Sequence, residues 1–232
     1  MGQYIQEQLT EIRDAVAAAA VNCGRLPDEV KLIAVSKTFS REDILTAYAH
    51  GQRRFGENKV QELEQKAGNL PPDIEWHLLG HLQGNKAVKA VQYATYIHSV
   101  DSVKLIQRLD RLAGEAGKKQ KILLEVNISG ETTKFGASAE NDILTMAEAA
   151  ANAVNLELAG LMTMAPYEAD EAELRRIFGA LRQLRDKIEK RLNIRLPELS
   201  MGMSGDFPAA VAEGATFVRI GTAIFGKRNY AG

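Results

Sequence analysis

The stretch Lys31-Leu32-Ile33-Ala34-Val35-Ser36-Lys37-Thr38-Phe39-Ser40-Arg41-Glu42-Asp43-Ile44-Leu45-Thr46-Ala47-Tyr48-Ala49-His50 carries the pattern that decides the fold. Lys31–Val35 is a short apolar run of β-type, and Arg41–His50 repeats apolar residues at helical spacing. A polar turn joins them. The same pair recurs along the chain. Further strands are predicted at Arg53–Gly56, Glu75–Leu79, Tyr96–Val100, Lys121–Asn127, Leu156–Met162, Glu198–Met201 and Phe217–Gly221. Helices are predicted at Asn58–Ala67, Asn85–Gln92, Ser102–Ala116, Ala139–Ala151, Glu171–Leu192 and Phe207–Glu213, and an amphipathic helix, Tyr4–Asn22, precedes the first strand.

Strands that alternate with helices form a parallel sheet, because each parallel crossover needs a helix. Eight such units in 232 residues predict a closed (β/α)8 TIM barrel with an extra N-terminal helix. The competing reading is an open doubly wound sheet. It would show a Gly-x-Gly-x-x-Gly turn after the first strand, and there is none. No Pro/Gly/Ser-rich linker divides the chain, so residues 1–232 read as one domain. The Ala-rich patch Ala17–Ala20 reads as close helix packing.

The chain has a net charge of -1, with 45% hydrophobic and 25% charged residues. That is an ordinary soluble composition without the basic excess of a nucleic-acid-binding face. Arg175-Arg176 and Lys190-Arg191 read as solvated helix faces. Cys23, the single cysteine, permits no internal disulfide, which suits a reducing compartment. It reads as a small buried or half-buried apolar residue, not a nucleophile. Met1–Thr10 lacks the basic and apolar regions of a signal peptide, and no run nears the roughly 18 apolar residues of a membrane span. A cytoplasmic protein without a membrane partner is expected. It is expected to be a monomer, since no long apolar surface stripe stands out.

In a parallel barrel the chemistry lies beyond the C-terminal ends of the strands. That rule selects Ser36-Lys37-Thr38, Glu57-Asn58-Lys59, Gly80-His81, Ser99 and Asp101, Thr163–Pro166, Met201–Asp206 and Arg219–Thr222. Gly202, Ser204 and Gly205 lead into a helix with Pro208 in its first turn, beside Gly221-Thr222. Glycines admit an anion close to the backbone, and a helix start offers unpaired N–H groups, so these loops suggest a phosphate site. The competing reading is tight turns alone. Lys37 directly follows an apolar strand, where desolvation lowers an amine's proton affinity and allows attack on an aldehyde. The phosphate loops are expected across the mouth from it. Arg219, inside an apolar strand on the side of Gly221, serves either a structural ion pair or a ligand's ring nitrogen or carboxylate.

Two motifs fail. Gly221–Arg228 nearly matches a nucleotide phosphate loop, but Arg228 replaces the Ser or Thr that holds magnesium, and no helix is expected after it. His77 and His81 have zinc-helix spacing but flank a strand end without the Glu or cysteines of a zinc site. No metal is expected, Trp76 reads as core or rim packing, and four scattered histidines support no Ser-His-Asp order.

Longer motifs carry a resemblance. Leu32–Thr38, Phe55–Glu62, Trp76–Lys86, Gly160–Ala165, Leu199–Ser204 and Val218–Gly226, in this order, resemble the pyridoxal phosphate homeostasis protein family over nearly the whole chain. The resemblance implies a barrel like the N-terminal domain of alanine racemase and pyridoxal 5′-phosphate held on Lys37 as a Schiff base. It implies phosphate contacts at Ser204, Gly205, Gly221 and Thr222, a pyridine-nitrogen contact at Arg219, and Asn58 lining the site. The segment Glu131–Gly136 departs from the family around its Lys-x-Gly core, which leaves the role of Lys134 open.

The resemblance further implies a protein of intracellular vitamin B6 homeostasis that delivers the cofactor, with PLP-dependent apo-enzymes as recipients and effects on amino-acid pools. The competing class is an amino-acid racemase or decarboxylase. Racemisation needs bases on both faces of the substrate carbon. In alanine-racemase-like enzymes the second comes from another domain, for which no residues are expected after the eighth strand. Arg219 at the ring nitrogen would also weaken the electron sink. Binding with little or no turnover is therefore expected. A Schiff-base aldolase without cofactor would instead be colourless.

Overall fold

The computed structural model describes residues 2–131 and 134–226. Lys31–Val35 forms β1, as its apolar alternation requires. The other strands are β2 (Arg54–Glu57), β3 (Glu75–Leu78), β4 (Tyr96–Val100), β5 (Gln120–Glu125), β6 (Leu156–Met162), β7 (Glu198–Ser200) and β8 (Phe217–Ile220). Each pairs in parallel with the next, and β8 returns to pair with β1 in a closed barrel. Ile33 lies opposite Arg219 across that seam. The (β/α)8 architecture is therefore as the alternation predicts.

The helices are α1 (Gly2–Asn22), α2 (Arg41–Ala49), α3 (Val60–Ala67), α4 (Ala87–Tyr93), α5 (Val103–Glu115), α6 (Glu140–Ala151), α7 (Glu171–Leu192), α8 (Phe207–Ala212) and α9 (Thr222–Phe225). The boundaries of β1, β4, β6 and α7 match the sequence expectation. Most others differ at an end by one or two residues. Ser40 opens α2: its hydroxyl accepts from the N–H of Asp43, whose carboxylate accepts from the N–H of Ser40. This reciprocal cap fixes where the loop after β1 stops and the helix begins. The sequence did not predict α9, whose single turn is too short for any periodicity to register.

Two cores result. Between the barrel and its helices lies one large layer, which includes Leu9, Phe55, Trp76, Leu109, Phe178 and Ile224. Inside the barrel Ile33, Val35, Leu79, Tyr96, Leu123, Ala159, Met162 and Phe217 pack on one another. These alternate in sequence with residues of the outer layer, as the two-residue period of a strand demands. Helix α1 packs on α2, α8 and α9 and so braces the seam where the barrel closes.

One composition-based expectation fails. Cys23 is exposed, because it follows the last turn of α1. Its apolar character was outweighed by its position at a helix end. Among the described residues no helix is long and apolar enough to cross a membrane.

Candidate active site at the barrel mouth

Lys37 continues the inward parity of Ile33 and Val35 past the end of β1. The residues around it are held from behind. Ser36 is buried in the barrel wall, and its hydroxyl donates to Glu57 Oε1 at 2.7 Å. Lys66 of α3 donates to the same oxygen at 2.8 Å and to the carbonyl of Ser36 at 2.9 Å. Thr38 has a left-handed φ of 70°, rare for a residue with a branched side chain. Its N–H donates to Glu62 Oε2 at 2.8 Å. Burial raises the Glu57 carboxyl above its usual range, although Lys66 opposes the shift. Burial works the same way on Glu62, but the N–H of Thr38 and the Lys66 ammonium outweigh it and hold that carboxyl low.

Closure of the barrel corrects one expectation. The loops after β7 and β8 do not face Lys37 across the mouth. They lie beside it, because β8 is bonded to β1. Gly221 packs on Val35 so closely that a Cβ there would sit 3.1 Å from the Val35 carbonyl oxygen. Thr222 follows as the first residue of α9. Gly202, with φ 93°, makes the turn after β7 and carries the chain to Ser204. Substitution there would be strained by its φ and would also press Cβ to 2.7 Å from Ala210.

Arg219 is buried inside the barrel. It donates to Ser200 Oγ at 2.8 Å and to the Thr163 carbonyl at 3.0 Å. Burial lowers its pKa to about 10, so it stays charged at neutral pH.

A cavity of about 340 Å³ opens at this mouth. Lys37, Asn58, Ser204, Arg219, Gly221 and Thr222 all line it, with Val35, Phe39, Leu79, Met162, Met164 and Met203 as its apolar walls. Six of the seven residues singled out from sequence thus share one space. Gly205 does not line it. It borders a groove on the outside of the barrel with Cys23, Asp206 and Pro208, and no atom crowds the position its Cβ would take.

The cavity also holds residues that sequence reasoning missed. Glu125 ends β5 facing inward and is buried, and its Oε2 has no hydrogen-bond partner among the described residues. Burial above all, then the nearby Asp101 charge, raises its pKa to about 7, against the pull of Arg219. Its signal in the sequence is a lone acid at the end of an apolar run, which a strand predicted as far as Asn127 hides. His81 stacks on Phe135 with ring centroids 4.0 Å apart and pairs with Asp101 at 3.3 Å. His77 instead points into the barrel, so the two histidines do not meet around a common point. Among the described residues no three His, Cys, Asp or Glu side chains converge as metal ligands would. Ser99 is a residue of β4 itself, buried, and not part of the mouth. Lys134 pairs with Glu131 and lies 3.4 Å from the Met164 carbonyl, while Thr132, Thr133, Lys227 and Arg228 are outside the described residues.

Comparison with known proteins gives concordant results. Residues 7–229 match the family described as alanine racemase, N-terminal domain. The pyridoxal phosphate homeostasis protein of Aquifex aeolicus is 40% identical over 225 residues, covering 97% of this chain and 98% of its own. The human protein of that name is 42% identical over 213 residues, covering 87% and 78%. PipY of Synechococcus elongatus, solved with PLP bound, superposes with a TM-score of 0.85 at 42% identity, covering 96% of this chain and all of its own. The chain belongs to the alanine racemase N-terminal domain family, among relatives named pyridoxal phosphate homeostasis protein.

Proposed function

We propose that this chain binds pyridoxal 5′-phosphate in the barrel-mouth cavity and serves in intracellular vitamin B6 homeostasis, as a protein that holds and hands on the cofactor with little or no turnover. The observation that carries the proposal is the convergence of Lys37, Arg219 and the Ser204 and Gly221-Thr222 loops on one cavity. The donor set fits the group. A primary amine, a buried guanidinium with donors left over, two loop ends and an apolar floor match an aldehyde, a ring nitrogen, a phosphate and a pyridine face.

When bound, the cofactor supplies an aldehyde that condenses reversibly with amines and a ring that withdraws electrons. Lys37 supplies the amine that holds it. Arg219, fixed by Ser200 and Thr163, donates toward the ring nitrogen and keeps that nitrogen an acceptor, which limits carbanion chemistry. Ser204, Gly221 and Thr222 offer donors for the phosphate, and Asn58 lines the opening. The name borne by the Aquifex and human relatives, and PLP bound to PipY, support the same reading. Apo-enzymes that use the cofactor are the natural recipients, the cytoplasm its place, and a single-domain monomer its form.

The test is direct. Protein loaded with pyridoxal phosphate should turn yellow and gain a covalent adduct on borohydride reduction, and Lys37→Ala should do neither. A reducible yellow adduct retained in Lys37→Ala would assign the cofactor to another lysine. Rapid racemisation of any amino acid by the loaded protein would overturn the reading of low turnover.

A further inference from the structure

The barrel interior holds a continuous polar chain that the cofactor contacts do not explain. Arg219 donates to Ser200 Oγ at 2.8 Å. Ser200 Oγ lies 2.9 Å from His98 Nδ1, His98 Nε2 lies 2.8 Å from His77 Nδ1, and His77 Nε2 lies 3.0 Å from Glu75 Oε1. Arg54 donates to that same oxygen at 3.0 Å. His77, His98, Ser200 and Arg219 are all buried, and Glu75 is half-buried at the start of β3, the end of the barrel remote from the cavity.

The carboxylate end of this chain forces its direction. A guanidinium can only donate, so Ser200 accepts from Arg219 and keeps its one proton for another partner. A carboxylate can only accept, so His77 must donate from Nε2 and accept at Nδ1. With both rings neutral, the middle bond then runs from His98 Nε2–H to His77 Nδ1, and His98 Nδ1 is left to accept the Ser200 proton. Burial first, and for His98 also the neighbouring His77 and Arg219, pushes both imidazoles below their usual pKa, which keeps them neutral. Glu75 is held low, its own burial outweighed by His77 and Arg54. The other titratable groups facing His77 are Tyr96, stacked on it at 5.0 Å, and Glu198.

We infer that Ser200, His98, His77 and Glu75 form a one-way hydrogen-bond chain that positions Arg219 as a fixed donor to the ligand in the cavity. The inference rests on the proposed pyridoxal phosphate site for the ligand's identity, but not for the chain itself. Its residues touch no ligand, so they are positioning residues. Each bond in such a chain polarises the next, and the terminal carboxylate sets the sense of all of them. Without that carboxylate either imidazole tautomer would serve His77, and Ser200 would no longer be obliged to direct its proton to His98 while it accepts from Arg219.

The test has two arms. Nitrogen-15 NMR of the cofactor-free protein should find both buried imidazoles neutral at pH 7, with the proton on Nε2. Glu75→Met should let His77 populate the Nδ1–H form. Ser200→Ala should weaken pyridoxal phosphate binding about tenfold and shift the absorbance of the bound cofactor, while Ser200→Thr, which keeps the hydroxyl, should restore both. A proton on Nδ1 of His98 in the wild-type protein, or either ring charged, would overturn the chain whatever the ligand proves to be. Unchanged tautomers in Glu75→Met, or unchanged affinity and absorbance in Ser200→Ala, would overturn its coupling to the site. Failure of the wild-type protein to bind pyridoxal phosphate at all would instead strike the proposed function, and the NMR arm would still judge the chain.

Discussion

The Lys66 ammonium lies 2.8 Å from a carboxylate oxygen of Glu57 inside the barrel wall. Both donors on that oxygen, Lys66 and Ser36, belong to the frame around Lys37, and the other oxygen of Glu57 has no partner among the described residues. Removing the ammonium leaves a buried carboxylate with only a hydroxyl beside it. Lys66→Met should cost about 3–5 kcal/mol of stability at neutral pH, the usual penalty for orphaning a buried charge. Urea unfolding measures it. The loss should shrink as pH falls, because the orphaned carboxyl, its pKa raised by burial, can then fold protonated. Replacing both partners, as Lys66→Met with Glu57→Leu, should recover much of the stability without recovering cofactor affinity.

Glu125 makes the opposite kind of forecast. Its folded pKa stands near 7 against an ordinary 4.5, so between those values the folded state holds more protons than the unfolded state. Its contribution is fully present below about pH 4.5 and is lost as pH rises to about 7. A carboxyl this deeply buried, losing its proton over that range, should cost roughly 2–3 kcal/mol. Glu125→Gln cannot ionise. Its stability relative to the wild type should therefore rise by about that amount between about pH 5 and about pH 8, read from urea midpoints. A flat difference across that range would show that Glu125 titrates in the native state as it does when unfolded.

Gly80 sits where β3 ends and the site begins, and it touches Asn58 through backbone alone. A Cβ at position 80 would lie 2.2 Å from the Asn58 carbonyl oxygen and 3.0 Å from its Cα. Backbone cannot rotate away as a side chain can. Gly80→Ala should lose about 2–3 kcal/mol of stability, at the upper end of overpacking costs. It should also weaken pyridoxal phosphate binding several-fold by displacing Asn58 from the cavity rim. Differential scanning calorimetry and a titration of the cofactor separate the two effects.

The barrel was legible because its evidence is periodic. Eight apolar runs and their intervening helices each repeat the same signal, and Lys37, Arg219 and Gly221-Thr222 stand at strand ends where position alone implies a role. What escaped the sequence depends on closure and on parity between distant strands. Only the β8–β1 seam puts Gly221 against Val35 and makes the loop after β8 a neighbour of Lys37. His77, His98 and Ser200 lie on three strands, and nothing local marks them as partners. Gly205 read as a phosphate contact because glycine followed serine before a helix. The turn at Gly202 spends that glycine on the outer groove.

His81 and Phe135 close one side of the cavity from different loops, stacked at 4.0 Å and 11°. Asp101 holds His81 from behind at 3.3 Å, while Phe135 keeps 54% of its surface exposed. A contact this exposed adds little to folding, about 0.5–1.5 kcal/mol for the aromatic pair at most. The pair stands at the edge of the cavity proposed for the cofactor. Phe135→Ala should therefore leave the unfolding midpoint nearly unchanged and raise the release rate of pyridoxal phosphate several-fold, with a smaller effect on its capture. The release rate follows from the decay of the yellow colour after dilution into excess competing amine. Equal release rates in the two proteins would mean that the cofactor leaves by another path or that a slower step at Lys37 governs its escape.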